Sequence, residues 1–509
     1  MIKKGFHIFE IPFLFMKNSI LLIVFIFSVK FCFADFDMNS NMRQAYSHIM
    51  TLDFELAQKI LSQEKISDNR NGVIFLNENY IDFLTILIGE DINYYNQSKS
   101  NKNKRLDALK KLNPNSPYYL YSQAEIYIQW AFARVKFKEY LLATYELQKA
   151  YKLLKRNNQL YPDFILNKKS LGLLHVLIGS IPETYDWILN IVGVEGGVNK
   201  GFSELYGVLT YSENTDEYEI YISEVLFLLS FLEMNMNNDK VAFQLLLNKI
   251  ENCCLNNNLL VFCAARLSNK IGDNDKTIQI LENRNFSKTQ YHFYYLDYLY
   301  AMSKLYSLEY NDAKDYFLRF IALFKGTNYI KSAYHKLSLI SLLQNDFDTM
   351  THYKELVLVN GGLLIDEDKQ AENDVLKSKP INLQLLKSRL LFDGGYYKFA
   401  LENLNNIIFK DIEEDQDFCL EYYYRLARVS QKLEDNNVVE LFSKVLNLKD
   451  ESSLYYHPMS ALQIGVEYEK RGEKDRAVIF YKKTLSYSGF NYENGIKKSA
   501  KSAIDRISN

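Results

Sequence analysis

The residue types that could do chemistry are present in this chain but are not arranged to do it. The 7 His stand at positions 7, 48, 175, 292, 335, 352 and 457, none three or four apart, so no helical face offers the paired imidazoles of a zinc site. No G-x-S-x-G nucleophile elbow and no G-x-x-x-x-G-K-S/T phosphate loop occurs. Gly193, Gly196, Gly197 and Gly201 are dense enough to suggest a nucleotide loop. Such a loop follows a strand, however, and Trp187 to Val192 reads as a first helix, which makes these glycines a cap, an inter-helix turn and a close crossing. The acidic runs Asp366-Glu367-Asp368 and Asp411 to Asp417 lack the alternating ligands and the glycine of a calcium loop. After Cys32 the cysteines are Cys253, Cys254, Cys263 and Cys419, with no C-x-x-C; Cys254 and Cys263 could pair, or all could pack as small hydrophobes. The expectation is a protein with no catalytic, cofactor-binding or metal-ligating residues.

What the chain positions instead is surface. In ALQIGVEYEKRGEKDRAVIFYKKTLS, Ala461 to Ser486, the residues Ile464, Gly465, Tyr468, Gly472, Ala477 and Tyr481 have the spacing of two antiparallel helices that cross on small side chains. In a frame of roughly 34 residues these are positions 7, 8, 11, 15, 20 and 24, and the stretch resembles a tetratricopeptide repeat. Trp130, Ala131, Ala143, Leu147 and Ala150 fit the same frame, as do Ala301, Ala313, Phe317 and Phe320. So do Ser388, Leu391, Gly395, Ala400 and Leu404, and Ile188, Val192, Gly196, Gly201 and Leu205. Fainter frames run over Ala45 to Leu61, Leu229 to Leu246, Ala265 to Leu281, Leu337 to Val357 and Leu426 to Val445. With only 7 Pro and 20 Gly in 509 residues, turns are too few for an all-β chain. The fold expected is all-α, a tetratricopeptide-like α-solenoid of about nine to eleven helix pairs.

The interruptions set the organisation. Residues 1–34 read as a signal peptide, with Met16 an alternative start, the apolar run Ile20 to Val29, and cleavage after Ala34. That run is about half of the roughly 20 apolar residues a membrane span needs. Residues 35–359 are read as N-terminal and central repeats, 360–380 as a polar insertion with an extra helix, and 381–509 as C-terminal repeats. Lys99 to Lys111 reads as a solvated inter-repeat loop running into a helix. The net charge of −2 argues against nucleic acid as a general partner.

Two further motifs, IPETYDWI (Ile181 to Ile188) with Gly193, Gly196, Gly201 and Phe202, and RLLFDGGY (Arg389 to Tyr396), resemble uncharacterised exported tetratricopeptide proteins of Bacteroidetes-type bacteria. More distantly they are similar to a eukaryotic tetratricopeptide family of the mitochondrial outer membrane and inclusion clearance. The resemblance implies a non-enzymatic scaffold, here of the cell envelope in the periplasm or at the outer membrane. Peripheral membrane association and oligomeric state are left open. In such solenoids the first helices line a concave groove that takes a peptide or a partner helix. Tyr295, Tyr298, Met302, Leu305 and Tyr306 form the candidate partner-binding stripe, with packing against the next repeat as the competing reading. The alternative function is a glycan-binding outer-membrane component, which the failed lipidation motif at Cys32 and the presence of only 2 Trp disfavour.

Overall fold

The computed structural model describes residues 35–180, 197–237, 239–251, 256–284, 287, 289–377, 380–449 and 454–508. Among them are 24 α-helices and no strand. Twenty-two pair as antiparallel hairpins: α1 (Ser40–Met50) with α2 (Phe54–Ser67), α3 (Val73–Gly89) with α4 (Ile92–Leu109), α5 (Pro117–Lys136) with α6 (Tyr140–Leu160), α7 (Leu166–Gly179) with α8 (Val198–Glu213), and α9 (Ile222–Leu232) with α10 (Lys240–Glu251). The series continues with α11 (Asn258–Ile271) and α12 (Asn274–Glu282), α13 (Tyr295–Tyr306) and α14 (Tyr310–Leu323), and α15 (Ile330–Leu343) and α16 (Phe347–Val359). After the single helix α17 (Asp366–Lys377) come α18 (Leu383–Asp393) with α19 (Tyr397–Asn405), α20 (Gln416–Lys432) with α21 (Val438–Asn447), and α22 (Tyr456–Lys470) with α23 (Lys474–Ser486). The last helix, α24 (Glu493–Ser508), covers the final pair and buries Ile496, Ala500 and Ala503 against it.

The crossings follow from residue size. Ala301 and Ala313, Ser388 and Ala400, and Gly465 and Ala477 are all nearly or completely buried. At Gly465 an added Cβ would lie 2.6 Å from the Tyr481 ring. Each of these hairpins turns through one left-handed residue, but only some are glycine: Gly395 and Gly472 stand beside Leu52, Lys138, Leu308, Asn345 and Glu434, all at φ between 58° and 83°. Polar caps start some of the helices, as where Asn39 accepts from the Met42 amide, Ser116 precedes Pro117, and Asn382 accepts from Gln384 and Leu385.

Two sequence readings change, for Lys99 to Lys111 and for the frame around Gly201. Lys99 to Lys111 is not a solvated loop but mostly helix α4, whose cations reach α6 and α3: Lys99 pairs with Glu139 at 2.7 Å, Lys102 with Glu146 at 2.5 Å and Arg105 with Asp82 at 2.6 Å. Ile188 and Val192 lie outside the described residues, and the helix that crosses Gly201 is α7. There Gly172 and Gly201 meet backbone to backbone, and a Cβ on Gly201 would stand 2.5 Å from the Gly172 carbonyl oxygen. Cys263 and Cys419 are buried free thiols, while Cys253 and Cys254 lie outside the described residues. The signal-peptide reading also falls outside them; within them no helix is long and apolar enough to cross a membrane.

The solenoid curls tightly enough to touch itself. Arg43 of α1 donates to the carbonyls of Asp216 and Glu217, more than 170 residues on. Behind it lies a buried polar cluster. The Lys169 ammonium, 1% exposed at its side chain, sits 2.6 Å from Glu224 and 3.4 Å from Glu125. The Tyr46 hydroxyl donates to Glu224, the Tyr80 hydroxyl reaches both carboxylates at 2.8 and 2.9 Å, and Ser170 donates to Glu125. Burial works against the Lys169 charge, but the two carboxylates offset it and hold the pKa above the usual lysine value. The first two hairpins also touch the chain further on. The Tyr291 amide donates to the Leu52 carbonyl at 2.7 Å, and Asn328 donates to Glu90 at 2.6 Å.

The insertion is bound to its neighbour through a cap supplied from outside the helix. Asp368 of α17, fully buried, accepts from the backbone amides of Tyr329 at 2.7 Å and Ser332 at 2.9 Å at the start of α15. Replacing Asp368 with Ala removes both bonds and leaves buried donors, so it should cost about 1 to 3 kcal/mol. Chemical denaturation measures this, with the exposed Asp366→Ala as a near-neutral control.

Candidate functional site

The concave side is built by the first helices, and its character changes along the chain. In six first helices the residue following the crossing position is only partly buried. It is Phe132 in α5, Met302 in α13 and Val466 in α22, but Arg266 in α11, Arg389 in α18 and Arg428 in α20. Each arginine follows a small buried crossing residue: Ala265, Ser388 and Ala427. Lys336 of α15 joins them.

Arg389, Arg428 and Lys336 share one chamber of about 450 Å³ with Asp393, Arg425 and Tyr456. Arg425 is held by Glu421. Arg428 donates to Gln431 at 3.2 Å and lies over the Phe392 ring. Among the described residues neither Arg389, Arg428 nor Lys336 pairs with a carboxylate within 4.0 Å. The cations act on one another. Burial and then the Arg389 charge bring Lys336 down to about 8, and burial followed by Lys336 and Arg389 holds His335 well below its usual value. Burial and Arg266 lower Lys270 likewise, and burial, Lys240 and Arg428 lower Lys432. Two lining residues are bridged: the Tyr492 hydroxyl, on the loop before α24, donates to Gln370 of α17 at 2.8 Å.

The candidate stripe on α13 divides. Tyr298 is 4% exposed and Leu305 fully buried; the Tyr298 hydroxyl meets Ser332 at 2.8 Å and its ring packs edge-on against Phe317 and Phe320. Those two belong to the helix-pair core because they face α14 and α15. Tyr295, Met302 and Tyr306 are half-buried. Tyr295 stacks on Tyr298 at 5.4 Å, and burial raises the Tyr295 phenol while Arg266 pulls it back. The arrangement therefore adds tyrosine faces beside the arginines. Sequence reasoning put only the α13 stripe forward as partner-binding and missed Arg266, Arg389, Arg428 and Lys336; the signal for the three arginines was the recurrent small residue followed by Arg.

No group of three His, Cys, Asp or Glu among the described residues could hold a metal ion. Trp130, one of the 2 Trp, is 2% exposed and donates its indole N–H to Asn79 at 3.0 Å. The helix pairing defines the class, an all-α tetratricopeptide-like solenoid. No family model matches the sequence, and neither does any curated protein. Among solved structures, the APC/C hetero-tetramer Cut9–Hcn1 aligns over 97% of this chain and 92% of its own, at 12% identity and a TM-score of 0.25. The P58(IPK) TPR domain aligns over 85% and 98%, at 14% identity and a TM-score of 0.20. Likenesses this slight carry no argument about function, and the architecture rests on the contacts above.

Proposed function

We propose that the protein is a non-enzymatic scaffold of the bacterial cell envelope, exported by the segment ending at Ala34, that holds an extended acidic segment of a partner protein in the groove between α11 and α22. The observation that carries this reading is the set Arg266, Arg389 and Arg428, joined by Lys336, on the first helices α11, α18, α20 and α15 and with no carboxylate within 4.0 Å among the described residues. Guanidinium groups offer forked donors to carboxylates, and the flanking Tyr295 and Tyr306 offer apolar surface for the side chains between them.

Crosslinking in the native envelope, followed by peptide mapping, tests the reading. The expected crosslinks join an acidic stretch of one recurrent partner to α18 and α20, on a protein whose first residue is Asp35. Crosslinks confined to the outer helices such as α19 and α21, or an intact N-terminus on a cytosolic product, would overturn it.

A further inference from the structure

The tight curl of the first five hairpins encloses a second and different space. A cavity of about 130 Å³ is walled by Phe83 of α3, Ile128 of α5, Leu173 of α7, and Phe227 and Leu228 of α9. It reaches Phe231, which is 37% exposed, and so has a route to the surface. Its wall is almost wholly hydrocarbon, and the polar cluster of Lys169, Glu125 and Glu224 lies at its floor with its members bonded to one another.

One polar group on this wall is left over. Gln129 is 3% exposed, and its Nε2 has no hydrogen-bond partner among the described residues. The orientation of its amide is fixed from behind. Trp130 Nε1 at 3.0 Å and Arg105 at 3.1 Å can only donate, so Asn79 must turn its Oδ1 to them. Asn79 Nδ2 then donates to Gln129 Oε1 at 2.7 Å, which leaves the Gln129 N–H groups without an acceptor. Flipping the amide would set two N–H groups against each other. A buried donor without a partner is costly, and here it belongs to a residue that lines an apolar cavity.

We propose that this cavity is a binding site for a small neutral ligand, a compact ring or short hydrocarbon chain that carries one acceptor oxygen placed on Gln129 Nε2. The size follows from the volume, since an apolar cavity of about 150 Å³ holds benzene. The hydrocarbon wall disfavours any charged guest, and the floor, where two carboxylates face one ammonium, disfavours an anion further. The site lies on α3 to α9, apart from the arginine row, and stands or falls independently of the scaffold reading.

The full chain, labelled at its Ile, Leu and Phe side chains, can be titrated by NMR with benzyl alcohol, toluene and benzoate. Benzyl alcohol should give saturable shifts at Ile128 and Leu173, bind about five- to tenfold more tightly than toluene through the one hydrogen bond, and outcompete benzoate. In Gln129→Leu the alcohol and toluene should bind alike. Leu228→Trp, which fills the cavity, should abolish the shifts, while a cooperative melt reports that it remains folded. The proposal is overturned if wild-type protein shows no saturable shift, if toluene or benzoate binds as tightly as the alcohol, or if the shifts persist in folded Leu228→Trp.

Discussion

The double variant Arg389→Glu with Arg428→Glu is expected to bind a fluorescent glutamate-rich peptide on the order of 10³-fold more weakly than the parent, because each reversal removes an attraction and adds a repulsion worth about 2 kcal/mol. The melting temperature should also fall, since Arg389 and Arg428 offset the burial of the Asp393 carboxyl and Arg389 that of Asp374, so a cooperative melt must accompany the binding curve. Fluorescence anisotropy measures the loss, and added salt should weaken the parent complex but hardly affect the variant. Lys336 adds a pH signature. Its pKa is depressed to about 8, so it is charged below that value and neutral above it. Peptide affinity should therefore fall as pH rises through about 8, and Lys336→Met should remove that step. Parent-like affinity in a folded double variant would remove the arginine row from the proposed interface.

Lys169→Met is the substitution expected to destabilise the fold most. It leaves Glu125 and Glu224 buried without their cation, a defect of about 3 to 5 kcal/mol in comparable pairs. Tyr46, Tyr80 and Ser170 still donate to the carboxylates, so the network is weakened and not emptied. Urea denaturation gives the value. Adding Glu125→Leu and Glu224→Leu to Lys169→Met should recover much of the loss, because the space then holds only apolar groups. A loss below about 1 kcal/mol in the single variant would mean that these charges are more hydrated than their burial indicates.

The helix hairpins could be read from the sequence wherever two cues coincided: small residues at the crossing and glycine at the turn. Gly472 and Gly395 supply the second cue, and those frames are plain. Leu308 and Lys138 adopt the same left-handed turn without a glycine, since the surrounding packing outweighs a local cost of about 1 to 2 kcal/mol. The pair α3 and α4 escaped detection because the residues at its crossing are Phe83 and Tyr95, not small ones, while Glu90 forms the left-handed turn at φ 49°. The solvated reading of Lys99 to Lys111 failed for a related reason: a cationic helix face looks the same in sequence whether it meets water or the carboxylates of Asp82, Glu139 and Glu146. Tyr298 and Leu305 were assigned to the groove by frame position alone, and the frame does not show that α14 and α15 close over them. The Lys169 cluster was beyond sequence reasoning altogether, since its members come from α1, α3, α5, α7 and α9 and meet only after the chain has curled.

Self-contact between turns also alters how this chain must assemble. An open repeat array can nucleate anywhere and grow by neighbour contacts, so its contacts are local and folding is quick. Here Thr289 bonds to Asp53 across 236 residues, and Asn328 bonds to Glu90 across 238. The leading hairpins therefore cannot reach their final state until more than half the molecule has followed them. Until then their inner apolar faces stay uncovered, and a partly completed chain has an unusually long interval in which a holding factor or a premature ligand could capture it.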